Sequence, residues 1–366
     1  MSSHDSDDAR HPADDPADAG ASARDGASRA PVRRAPVAVV SGGSAGIGRA
    51  TARLLAERGY AVAVLARGRE RLDETVRELE RHGGEALGIA CDVADGQAVA
   101  DAHARVSAEL GTPLVWVNSA MLTAFSPFEA MGEAEFRRIV EVTFLGQVNG
   151  TRAALGGMRR LGRGSIVNIG SGLSYRSVPL QSAYCASKAA INGFTASLRS
   201  ELIHEGFDDI RLSLVQLPAV NTPQFDWARS RLDRVPRPAA PVYQPEVAAR
   251  AVLQAVDEGA RELFVGRSVP ALVLGNMLAP AALDRKLADA GWDGQYSDEP
   301  DPGDRSGNLE RASTRDVAAH GSWDDEASAE GLIVDADKLR YAVAGGLGLV
   351  AFAAGLLGAS LLGRRR

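Results

Sequence analysis

Between Pro36 and Gly266 the chain alternates short apolar, often β-branched runs with longer helical stretches. The strand-like runs are 37–40, 61–66, 86–90, 114–118, 165–169, 210–215 and 262–265. Amphipathic or alanine-rich segments at 69–82, 97–110, 133–161, 181–205 and 245–258 separate them. The runs are apolar throughout rather than alternating with polar residues, so the strands are expected to be buried on both faces. Helical crossovers between such strands predict a parallel sheet covered on both sides, a doubly wound α/β domain over 36–267. Ligands of such sheets bind at the carboxyl ends of the strands.

The flanks have a different pattern. Residues 1–35 are rich in Asp, Ala, Ser and Pro, without apolar periodicity, and predict a disordered leader. It opens acidic and lacks an apolar h-region, so it is not a secretory signal. After the last strand, 268–290 is an apolar helical extension, too short and too broken by Pro270 and Pro280 to span a bilayer. It suits a pocket cover, a subunit interface or a bilayer surface. Residues 291–340 are read as an acidic linker: from Asp284 to Arg340 there are fifteen acidic and seven basic side chains. Residues 341–363 carry no charge, and a helix of that length spans ~34 Å, enough for a hydrocarbon core of ~30 Å. They predict a C-terminal transmembrane helix holding a cytoplasmic catalytic domain at a membrane. The arginines at 364–366 pull against that orientation.

Composition narrows the function. The net charge of −6 over 366 residues falls mostly on the 284–340 stretch and leaves the central block close to neutral, which argues against nucleic acid as a partner. Two cysteines, Cys91 and Cys185, make no disulfide framework, and no Cys/His cluster has zinc spacing, so no metal is expected.

Two motifs carry the chemistry. The first strand runs into Ser41-Gly42-Gly43-Ser44-Ala45-Gly46-Ile47-Gly48 and then a helix. Such a loop permits a tight turn and close backbone approach to a pyrophosphate at a helix N-terminus. At the end of the second strand, where an NAD-binding fold usually places an acid, stands Arg67, which suits a 2′-phosphate and favours NADP, with NAD as the other candidate. Tyr184 and Lys188 lie four residues apart on one helical face. An ammonium beside a phenol brings it toward the range of a general acid/base. Ser171, just past the 165–169 strand, can hydrogen-bond a substrate oxygen.

Together these residues resemble the classical short-chain dehydrogenase/reductase family over roughly 36–267. The matching elements are the 41–48 loop, Cys91-Asp92-Val93, Asn118-Ser119-Ala120, Ser171, Tyr184, Lys188 and Pro218 through Thr222. The resemblance implies a Rossmann-type fold and NAD(P)-dependent alcohol–carbonyl interconversion with Ser171, Tyr184 and Lys188 as catalytic residues. It also implies cofactor contacts from Ser41, Gly42, Ser44, Gly46, Ile47, Gly48, Arg67, Asp92, Asn118, Ala120, Tyr184, Lys188 and Thr222. Within that set Asp92 lies near the adenine, Lys188 on the nicotinamide ribose and Thr222 near the carboxamide. Homo-oligomers built on long helices are implied too. The sequence departs from the family pattern at Met121, where Gly is typical, and at Thr143, where a catalytic Asn is usual. Met121, Leu122, Leu173, Tyr175 and Leu180, under a lid containing Phe225, Trp227, Val242 and Tyr243, predict a pocket for an apolar carbonyl or alcohol. The alternative is a nucleotide-binding scaffold or redox sensor with little turnover.

Overall fold

The computed structural model describes residues 35–301, 303–315 and 318–345. The leader through residue 34 and the apolar segment beyond 345, including most of the expected 341–363 span, lie outside the described residues. Among the described residues no helix is long and apolar enough to cross a membrane.

The strands are β1 (Val37–Ser41), β2 (Ala61–Ala66), β3 (Ala86–Ala90), β4 (Val115–Asn118), β5 (Gly164–Ile169), β6 (Ile210–Gln216), β7 (Glu262–Val265) and β8 (Ile333–Asp335). They form one sheet in the order β8-β7-β6-β5-β4-β1-β2-β3. Pairing is parallel from β3 through β7, and β8 adds antiparallel to β7, with Leu263 opposite Asp335. The parallel strands are buried almost throughout, apart from the outermost, β3, which accounts for the near-continuous apolar runs.

Helices cover both faces: α1 (Gly46–Glu57), α2 (Arg69–Arg81), α3 (Gly96–Glu109), α4 (Glu133–Val140), α5 (Gly146–Leu161), α6 (Ser182–His204), α7 (Pro245–Glu258), α8 (Ser268–Leu278) and α9 (Pro280–Asp293). One core lies on the face under α1 and α7, around Val40, Leu55, Val64 and Val252; the other, around Trp116, Val106 and Met158, lies under α3 and α5. The order reverses between β1 and β4, which opens a crevice at the strand ends.

One expectation is refined and another changes. The 133–161 segment is helical without interruption, as expected, but carries a π-bulge at Glu141–Leu145 between α4 and α5. There Thr143, fully buried, donates to the Leu122 carbonyl and accepts from the Leu122 N–H, both at 2.9 Å, so its hydroxyl pins the neighbouring loop. Residues 291–340 do not hang free as a linker but lie folded on the domain. Strand Tyr296–Pro300 pairs with Arg234–Pro236, β8 joins the main sheet, and the helical 336–345 segment is held by Arg340 on buried Glu262 at 2.5 Å.

Candidate active site

The crevice is built from the ends of β1, β2 and β4. Gly42 adopts φ +69°, and a Cβ there would lie 2.6 Å from the Ala120 Cα; a Cβ on Gly48 would lie 2.3 Å from the Gly42 carbonyl oxygen. Side chains at these positions would fill the cradle, so the loop stays backbone-lined and α1 begins at its rim with first-turn N–H groups free of intrahelical partners. Of the expected cofactor residues, Gly42, Ser44, Gly46, Ile47, Gly48, Arg67, Asp92, Ala120 and Thr222 line one cleft. Met121, Leu122, Val142 and Trp227 add an apolar wall.

Two of the polar groups in that cleft donate to the chain's own backbone. Gly46 N–H donates to the Ala318 carbonyl at 3.1 Å. The Arg67 guanidinium donates from both terminal nitrogens, to the Leu309 carbonyl at 2.8 Å and the Asn308 carbonyl at 2.6 Å. In each case the acceptor is a backbone carbonyl oxygen, and such donors suit the phosphates of a dinucleotide. Asp92 is ion-paired with Arg138 and accepts from Ala94 N–H.

Two of the expected cofactor residues sit behind the wall. Asn118 is fully buried, accepting from Trp116 Nε1 at 2.9 Å and donating to Thr151 and Asn168. Ser41 is buried at the end of β1, where its carbonyl accepts from Ser119 N–H. Neither lines the cleft, and the Ser41 carbonyl holds the start of the 119–121 loop.

The second cluster forms where β5 ends and α6 begins. Ser171 is buried and caps the short turn at 172–174 by accepting from Leu173 N–H. Burial raises the Tyr184 phenol above its ordinary value, partly countered by a hydrogen bond with Ser171. Lys188 is almost wholly buried, and burial pulls its ammonium down to about 7. Its Nζ donates to the Ile169 carbonyl at 2.6 Å and stands 5.5 Å from the centre of the Tyr184 ring. The three predicted catalytic side chains are thus brought together. Helix α8 packs above them, since a Cβ on Gly172 would meet Val269 and Leu272 at 3.3 and 3.4 Å. The start of the 268–290 run thus lies over this end of the sheet, while Met277 and Leu278 farther along it stay exposed.

Some expected pocket residues serve elsewhere. Tyr175 bonds Glu262, and Val242 and Tyr243 are buried in a strand. Phe225 packs with Phe125, Leu180 and Leu232. Gln216, missed in the sequence, holds the Ser171 N–H with Oε1 at 2.8 Å, while its amide donates to Glu262 and Asn192. Asn308, Ala312 and Ser313 were also missed, yet they line the cleft. No local pattern marks residues so distant along the chain.

A doubly wound sheet, a glycine loop at its reversal point and a Ser-Tyr-Lys cluster beside it define an NAD(P)-dependent oxidoreductase. The short chain dehydrogenase family model matches residues 36–232. The chain is 31% identical over 268 residues to the uncharacterized oxidoreductase YxnA of Bacillus subtilis, covering 72% of this chain and 74% of that protein. Among solved structures it is similar to a metagenomic short-chain oxidoreductase in complex with NADP, with TM-score 0.52, 32% identity, 61% of this chain and 91% of that one covered. It is also similar to an alcohol dehydrogenase of Thermococcus sibiricus complexed with 5-hydroxy-NADP, with TM-score 0.54, 30% identity, 63% of this chain and 96% of that one covered. This chain belongs to the short-chain dehydrogenases.

Proposed function

We propose that the protein interconverts an alcohol and a carbonyl on an apolar substrate with NADP(H), using Ser171, Tyr184 and Lys188. The packing of those three side chains at the junction of β5 and α6 carries the reading. Arg67 supports NADP over NAD, as do the two similar structures that hold NADP or its derivative. A bound nicotinamide dinucleotide supplies or accepts the hydride. The chain's own residues handle the oxygen: Ser171 orients it, Tyr184 gives or takes its proton, and Lys188 stabilises the phenolate. Met121, Leu122 and Trp227 support an apolar substrate, because they offer it little to hydrogen-bond.

A scaffold with little turnover is the second reading, favoured by Thr143, whose hydroxyl is fully engaged by Leu122. The discriminating assay is NADPH oxidation against apolar ketones and aldehydes. Tyr184→Phe is expected to lower kcat/KM by ~10³-fold or more with NADPH affinity kept; tight binding with no Tyr184-dependent turnover selects the scaffold. Arg67→Ala is expected to weaken NADPH about 10- to 100-fold, the loss of a charge-assisted pair, with NADH little changed. Equal effects on both cofactors refute the NADP assignment.

The same proposal places 341–363 in a membrane, on its 23 uncharged residues. Fractionation of the full chain tests it: recovery outside the membrane fraction without detergent overturns the anchor.

A further inference from the structure

The cleft that suits a dinucleotide is crossed by the chain's own C-terminal segment. We propose that the described residues 305–315 and 318–324 form a strap docked in the phosphate half of the cofactor site, so that strap and dinucleotide exclude each other and binding requires the strap to leave. The inference rests on the cofactor reading above.

The strap is held at several of its described residues. Arg305 donates to the carbonyls of Phe225, Asp226 and Ala228. Leu309 is buried in the core that contains Leu122 and Val142. At the far end Trp323 N–H donates to Asn221, whose amide donates to Asp324 at 2.8 Å.

Between those anchors the strap takes the donors a dinucleotide needs. Both terminal nitrogens of Arg67 and the N–H of Gly46 are engaged by strap carbonyls. A guanidinium fork so engaged cannot also clasp a phosphate. Glu310 lies close enough to favour the Arg67 charge, so a strap carboxylate stands near the arginine assigned to phosphate. The cavity left is about 170 Å³, below the ~300–1,000 Å³ of ligand pockets. Apparent affinity is therefore the intrinsic affinity multiplied by the fraction of molecules with the strap undocked.

A reversible clamp tests this in the full-length protein. A Cβ on Gly68 would lie 3.3 Å from the Ala312 Cβ, close to the ~3.8 Å of a disulfide, and native Cys91 and Cys185 are buried. In Gly68→Cys/Ala312→Cys, oxidation is expected to weaken NADPH binding at least tenfold and reduction to restore it within twofold of wild type. Oxidised protein that binds NADPH like wild type overturns the strap and leaves the cofactor reading standing. Should the reduced double variant itself bind poorly, Arg305→Ala decides. It frees the strap and is expected to tighten NADPH threefold or more, and unchanged or weaker binding overturns the proposal. If neither wild type nor Arg305→Ala binds NADPH or NADH, the cofactor reading fails and the strap proposal falls with it.

Discussion

Lys188 is a cation placed where a cation is costly. Burial lowers it to about 7, and in the free protein its direct partner is a backbone carbonyl. Between that value and the unfolded ~10.4 the folded chain has released a proton that the unfolded chain keeps, so this residue makes stability rise with pH across that window. Lys188→Met is expected to be at least as stable as wild type at pH 6, with its advantage shrinking toward pH 10, while turnover is lost. Denaturant unfolding at both pH values checks this; a variant less stable at pH 6 contradicts it. Thr143 shows the opposite trade. Its hydroxyl satisfies both backbone groups of Leu122 in a buried place, so Thr143→Val is expected to cost about 1–3 kcal/mol. Urea unfolding reads that loss directly. A near-neutral result would mean that Leu122 finds other partners.

At the scale of elements, the strands and helices of 36–267 were legible because each follows a local rule. β1 and β2 are uninterrupted apolar runs, α2 keeps one apolar stripe with Leu72 and Leu79 buried, and the glycine loop sits between strand and helix. The π-bulge at Glu141–Leu145 was not legible, because its Thr143 bonds a loop twenty-one residues away and no local pattern marks that contact. The strap was hidden for the same reason in stronger form: its partners, Arg67 and Gly46, lie more than two hundred residues upstream, and nothing periodic marks it. Its chemistry also makes it sensitive to pH. Burial disfavours the His320 charge, but hydrogen bonds and charge from Glu246 and Asp324 outweigh it and raise its pKa. Arg53 shares Glu246, and Gln244 and Asn221 share Asp324. A raised value means that charged His320 holds the strap fully below ~6.5 and progressively less as pH rises through the raised value. NADPH affinity is thus expected to increase two- to threefold from pH 6 to 8.5 relative to His320→Gln, which cancels the titration of the ligand itself. Parallel pH curves for the two proteins would count against this role.

Seen as a whole, the molecule carries its acidic segment against its own arginines. Arg229 pairs with Asp304, Arg237 with Glu326 and Arg261 with Asp337. Some of the segment's acidic side chains are therefore paired within the fold instead of carried on a free tether. Among the described residues an apolar groove stays open where Phe128, 68% exposed, and Leu145 lie beside Met131, Phe136 and Val140. A second copy covering it accords with the oligomers implied by the family. Light scattering is expected to show an oligomer that Phe128→Asp/Leu145→Glu dissociates; a wild-type monomer at micromolar concentration refutes it. The three residues of β8 have a bearing on handling. They cap the backbone of Leu263 through Val265, which would otherwise be a bare hydrophobic edge able to recruit a strand from another chain. A version cut short before Ile333 would therefore be prone to aggregate, however intact its catalytic half.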